Sequence, residues 1–233
     1  MKRLIIAGVF LFCAIHATHA VASDNNTGKK AEPSIGSMIP WSELSQRAVV
    51  LAKPLVANPT VHAKGPVDTF MCTPVQYCWL LDNPDRAVTA WRRLGAKCVS
   101  IQRKGPAAFG YTDDNGSNIT WEVVHHAPGV RIWHADGKVK PNAVLPLVPV
   151  KALIVLRYTE GKSPSGAALV QHHAEVMVHT DSKAAVAVTK LMGQSAPKLA
   201  EQGLGQLQLF FSALSCYVDR HPERVDTLFR PEP

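Results

Sequence analysis

Eight histidines follow residue 22: His62, His125, His126, His134, His172, His173, His179 and His221. Imidazole titrates near neutrality, so it can act as a general base, a metal ligand or a polar anchor. Alternation along strand-like segments puts His125, His134 and His172 on one face of a sheet, together with Tyr158. In the hairpin turning at 127–128, His134 is expected opposite Trp121. A neutral imidazole beside an aromatic wall orients the polar head of a ligand. If the protein is an enzyme, His134 and His172 are the acid/base candidates and Tyr158 the hydrogen-bond donor. Three converging histidines could also hold zinc with an open position. No His-x-x-x-His spacing or carboxylate partner supports that, and neither metal nor cofactor is expected.

Other chemistries lack their residues. Glu122 and Glu175 are expected to face outward, pairing with Arg131 or Lys151, so no carboxylate pair serves glycosidase-type chemistry. Ser165-Gly166 has no nucleophile-elbow context, and neither Gly-x-Gly-x-x-Gly nor a P-loop occurs. Cys72, Cys78, Cys98 and Cys216 allow two disulfides in three pairings, or four buried thiols. Cys-x-x-Cys is absent, which removes the usual redox and zinc signatures.

The elements that must position these residues follow from periodicity. Pro40-Trp41-Ser42 opens a helix over 41–59, closed by Asn58-Pro59. A strand over about 60–71 comes next. Thr73-Pro74 caps a short helix, Asn83-Pro84 breaks the chain, and a second helix runs to Leu94 before Gly95. From 98 to 180 the period is two, with turns at Asp113–Gly116, Ala127–Gly129 and Asp136-Gly137. Val99, Ile101, Phe109, Tyr111, Ile119, Trp121, Val123, Val130, Ile132, Ile154, Leu156, Val176 and Val178 are expected on one buried face. A long helix over about 182–219, kinked near 193–197, carries an apolar stripe through Leu204, Leu207, Phe211 and Leu214. Gly203 and Gly205 interrupt it, which suggests close approach by a strand or a ligand. The fold class is therefore α+β: a curved antiparallel sheet of about six strands gripping a long C-terminal helix.

The 233 residues are 46% hydrophobic and 18% charged, which excludes a disordered chain. Met1-Lys2-Arg3, the apolar run 4–17 and Ala20-Val21-Ala22 have the form of a signal peptide, cleaved after Ala22. The expected location is thus periplasmic or extracellular. Losing Lys2 and Arg3 lowers the net charge from +7 to +5. The basic residues are scattered, so nucleic acid is not an expected partner, whereas transient contact with a membrane surface fits the charge. Residues 23–40 form a polar tether and 221–233 a loose tail. Nothing in the sequence sets an oligomeric state.

The stretch Cys72-Thr-Pro-Val-Gln-Tyr-Cys-Trp-Leu-Leu-Asp-Asn-Pro-Asp-Arg-Ala-Val-Thr-Ala-Trp91 and the closing helix from Lys190 to Leu214 carry a family resemblance. Over residues 60–220 the order of elements resembles the START/SRPBCC superfamily, the helix-grip or Bet v 1-like fold. The chain departs from it by an extra N-terminal helix and by Pro146 and Pro149. The resemblance implies a cavity between sheet and helix that takes a lipid, sterol, isoprenoid or aromatic polyketide. The ligand-contacting residues expected there are Trp121, Val123, Ile132, His134, Ile154, Leu156, Tyr158, His172, Val176, Leu204, Leu207 and Phe211. The expected function is binding or transfer of a hydrophobic small molecule. The alternatives are a polyketide cyclase/aromatase-like enzyme using His134, His172 and Tyr158, and an envelope interaction domain docking through Trp41.

Overall fold

A computed structural model describes residues 34–140, 146–183, 186 and 195–231. The expected signal peptide and the helical kink expected near Gly193 fall outside the described residues. The β-rich stretch forms one antiparallel sheet of eight strands. These are β1 (Val61–Lys64), β2 (Asp68–Met71), β3 (Gln102–Gly105), β4 (Ala108–Thr112), β5 (Asn118–Ala127), β6 (Val130–Val139), β7 (Val148–Lys162) and β8 (Ala168–His179). Their order is β1-β8-β7-β6-β5-β4-β3, and β2 also pairs with β8.

The count exceeds six for a local reason. Residues 60–71 are two strands, parted at Gly65-Pro66-Val67, because proline has no N–H to give to a ladder. Asp136-Gly137 is not a turn: it lies inside β6, with Gly137 opposite Ile119. A Cβ at Gly137 would sit 2.1 Å from the Asn118 carbonyl oxygen, so glycine is there for close backbone approach.

Local signals place the helices. α1 (Gln46–Ala57) starts not at Ser42 but at Ser45, whose Oγ accepts from the Ala48 N–H at 3.2 Å. Trp41–Glu43 form a separate 3-10 turn. Thr73 caps α2 (Pro74–Asp82) as expected, accepting from the Gln76 N–H. α3 (Pro84–Arg93) follows and stops before Gly95 at φ +95°. α4 (Ser195–Arg220) is the long closing helix, packed on β1, β2, β8 and α2.

The sheet is covered on both sides. Its concave face meets α2, α3 and α4 through Phe70, Tyr77, Leu80, Trp121, Leu156, Phe211 and Leu214. Its other face meets α1 and residues 38–44 through Val130, Ile132, Leu153, Val155 and Met177. Both layers remove apolar area from water, at about 25 cal/mol per Å². The result is a helix-grip-like α+β fold with a third layer.

Residues 34–40 and 225–230 are pinned rather than loose. Gly36 N–H donates to Glu175 Oε1 at 3.3 Å, and Arg157 Nε donates to the Met38 carbonyl at 2.8 Å. Residues 34–40, expected to be tether, therefore lie on the sheet. Glu175, expected at the surface, is buried beneath them, with its Oε1 2.6 Å from His62 Nε2. At the other end, Arg93 Nη1 holds the carbonyls of Thr227, Leu228 and Arg230, and Phe229 packs edge-on to Trp79. A short helix, α5 (Val225–Leu228), stands where the loose tail was expected.

Gly203 and Gly205 are not closely approached: among the described residues nothing lies within 4 Å of a Cβ at either position. Gly203→Ala should therefore stabilise the protein by about 1 kcal/mol through helix propensity. Gly137→Ala should destabilise it by about 2 kcal/mol through backbone displacement. Urea denaturation of both variants checks the pair, and equal effects would contradict the register of β5 and β6.

Candidate functional site

α2 lies across the start of β6, the end of β7 and the start of β8, and polar side chains meet there. Helical spacing puts Tyr77, Cys78 and Asp82 toward the sheet at successive heights. Tyr77 Oη lies 2.7 Å from His172 Nδ1 on β8. Cys78 Sγ lies 3.4 Å from Tyr158 Oη on β7. Asp82 Oδ1 accepts from Arg131 Nη1 on β6 at 2.5 Å. Tyr77, His172 and Arg131 are each at most 1% exposed.

The neighbours are aromatic. The Tyr77 ring meets Phe70, Tyr158, His172 and Phe211 with centroids 5.1–5.9 Å apart. Side chains therefore fill the space between the sheet and α4 at this end. Toward β4 and β5 the same face continues as an apolar wall, with Phe109 6.0 Å from Trp121 and Tyr111 beyond. Among the described residues, two surface pockets lie away from this polar cluster. One of about 450 Å³ is bordered by Arg92, Arg93, Ala96, Lys97 and Cys98. One of about 90 Å³ is bordered by Cys72, Thr73, Gln76 and Asp219 among others.

Burial sets the protonation states. It lowers the His172 pKa to about 4, helped by the nearby His173, so the imidazole is neutral at pH 7. It raises the Tyr77 phenol well above its usual value, and the Tyr158 phenol and Cys72 thiol upward. Tyr77 and Tyr158 are thus un-ionised hydroxyls. The Arg131 Nε and Nη2 atoms have no hydrogen-bond partner among the described residues. Burying charged donors without acceptors is costly, on the order of 1–3 kcal/mol or more.

The structure divides the sequence-predicted residues. Trp121, Ile154, Leu156, Tyr158, Val176, Leu204 and Phe211 are buried in the concave-side cluster, with Leu207 packed against it, and the buried His172 ring meets Phe70, Tyr77 and Phe211 there. Val123 shares that face by register, opposite Trp133. Ile132 and His134 do not: Ile132 packs under α1, and His134 pairs with Glu122 and Leu153 on the same opposite face. Trp121 lies opposite Ala135 instead. His125 also moves away, because a bulge between Val123 and His125 reverses its side, and it faces Glu43 at 3.8 Å. The three histidines read as zinc candidates, His125, His134 and His172, are thus split across the sheet.

Arg131 and Glu122 also depart from expectation. Arg131 is interior, and Glu122 pairs with Arg47 of α1 at 2.5 Å. Cys72, Cys78 and Cys216 are free thiols, with Cys72 accepting from Ser215 Oγ at 3.3 Å. Sequence reasoning missed Tyr77, Cys78, Asp82 and Arg131. The usable signal was the helical spacing of 78 and 82 behind the Thr73-Pro74 cap.

No family model and no curated protein matches the chain. Solved structures do. A conserved protein from Geobacillus kaustophilus is 17% identical, covering 69% of this chain and 96% of that one, at TM-score 0.42. The protein XoxI from Bacillus cereus is 13% identical over 64% and 96%, at 0.35. A Rhizobium loti protein is 14% identical over 66% and 96%, also at 0.35.

The neutral His172 carries a pH consequence. Its folded pKa is about 4, below the ordinary 6.5, so the unfolded chain takes up the proton first as pH falls. Stability is full above pH 6.5 and declines toward pH 4, by about 3 kcal/mol from this group. His172→Gln should flatten that decline in denaturation midpoints between pH 7 and 4. An unchanged decline would place the acid sensitivity elsewhere.

Proposed function

We propose that the chain is an exported member of the START/SRPBCC superfamily that holds an apolar small molecule against the concave face of its sheet. One observation carries this reading. That face runs from an aromatic wall at Phe109, Tyr111 and Trp121, through Ile154 and Leu156, to a buried polar end at Tyr77, Tyr158, His172 and Arg131. Such a gradient suits an amphipathic lipid or isoprenoid: the chain lies on the wall and the head meets the polar end. Side chains fill the polar end, so loading there requires the helices over this face to shift. The sequence resemblance and the signal-like N-terminus support the same assignment.

The Tyr77–His172 hydrogen bond favours a second reading, a cyclase/aromatase-like enzyme. A neutral imidazole accepting from or donating to a phenol can relay a proton. The two readings separate on turnover: an enzyme converts a candidate substrate and loses that conversion in His172→Gln while still binding, whereas a carrier releases its cargo chemically unchanged with or without the substitution.

Native mass spectrometry of the protein, purified after incubation with lipid and isoprenoid vesicles, tests the carrier. A mass adduct that organic extraction releases is expected. An unmodified mass under all conditions, with no apolar compound in the extract, overturns the carrier.

A further inference from the structure

Resting on the carrier reading, we propose that Arg131 anchors the acid group of the cargo, which makes the cargo a long-chain carboxylate. Three observations converge on this residue. Arg131 is 1% exposed on the concave face, opposite Leu156. Its Nη1 is engaged by Asp82 at the end of α2. Among the described residues its Nε and Nη2 have no hydrogen-bond partner.

The unengaged atoms decide the chemistry. Nε–H and Nη2–H point the same way along one edge of the guanidinium plane. That edge matches the two oxygens of a carboxylate, side-on and bidentate. Asp82 does not compete for it, since it already occupies the Nη1 corner and its side chain is 45% exposed to water. A buried guanidinium with a vacant fork has lost hydration without recovering it. An incoming carboxylate restores those bonds inside the protein, where they are stronger than in water. The adjoining Leu156 and Trp133 present apolar surface to the first carbons of the chain.

The experiment uses the full chain with three probes of equal chain length: cis-9-octadecenoate, the matching alcohol and the matching monoalkyl phosphate. Affinity is read by titration calorimetry. The acid should bind at least about ten-fold tighter than the alcohol, the range expected for hydrogen bonds to a charged group. Arg131→Met should bring the acid down to the alcohol's affinity and leave the alcohol unchanged. Arg131→Lys keeps the charge but not the fork, and should retain only part of the preference. Asp82→Asn should keep the preference, and its half-exposed position makes it the variant that tests the idea if Arg131→Met fails to fold.

Equal binding of acid and alcohol by the unaltered protein overturns the inference and leaves the carrier reading standing. So does a preference that survives Arg131→Met. Tighter binding of the phosphate overturns the carboxylate class. Binding of none of the three overturns this inference together with the carrier reading for single-chain lipids.

Discussion

Everything in this molecule depends on burying the two faces of one sheet at once. β6, β7 and β8 form its centre, and each must be apolar on both sides. Val130, Ile132, Leu153, Val155 and Met177 pack beneath α1, while Ala135, Ile154, Leu156 and Val176 pack beneath the other helices. A sheet with one wet face would leave the first set in water. The N-terminal layer is therefore part of the fold, and its attachment is polar as well as apolar. Glu175 and Arg157 reach backbone groups of residues 36 and 38 and turn a polar stretch into a strap.

On the concave side the apolar rule is broken most heavily where α2 crosses the sheet. α2 brings a phenol, a thiol and a carboxylate onto a phenol, an imidazole and a guanidinium of three neighbouring strands. A well-packed apolar set would be at least as stable there, since buried ionic groups seldom repay their lost hydration. The polar end also makes the interior asymmetric. One end of the concave face can recognise a head group, and the other can only exclude water. That asymmetry, more than the helix-grip outline, limits what the fold can hold.

Much of the local structure was legible. Thr73-Pro74 opens α2, Asn83-Pro84 separates it from α3, and Gly95 ends α3, because capping and φ preferences act within a few residues. The β5–β6 hairpin turns at Ala127–Gly129, with Gly129 at φ +74°. Tyr158 and His172 were placed on the correct face and meet across β7 and β8. Ile132 and His134 were not. A two-residue period states that Val130, Ile132 and His134 share a side, but it carries no sign when both sides are covered. The bulge after Val123 removes even the relative phase between β5 and β6. Arg131 was missed for the same reason, since it seemed to point outward between two buried aliphatic residues.

From the chain alone came the broad order of elements, the α+β class, the Thr73 cap of α2 and the two-residue rhythm of the strands. These rest on short-range sterics, hydrogen-bonding capacity and hydrophobic period, all of which act between near neighbours. Only the tertiary structure decided which side of β6 meets which helices, that Gly137 serves a neighbouring backbone, and that Arg131 lies inside with Asp82. Those outcomes join residues 49 positions apart or more, or 19 for Gly137 and Asn118, and they follow from packing several layers at once. No local preference encodes that packing.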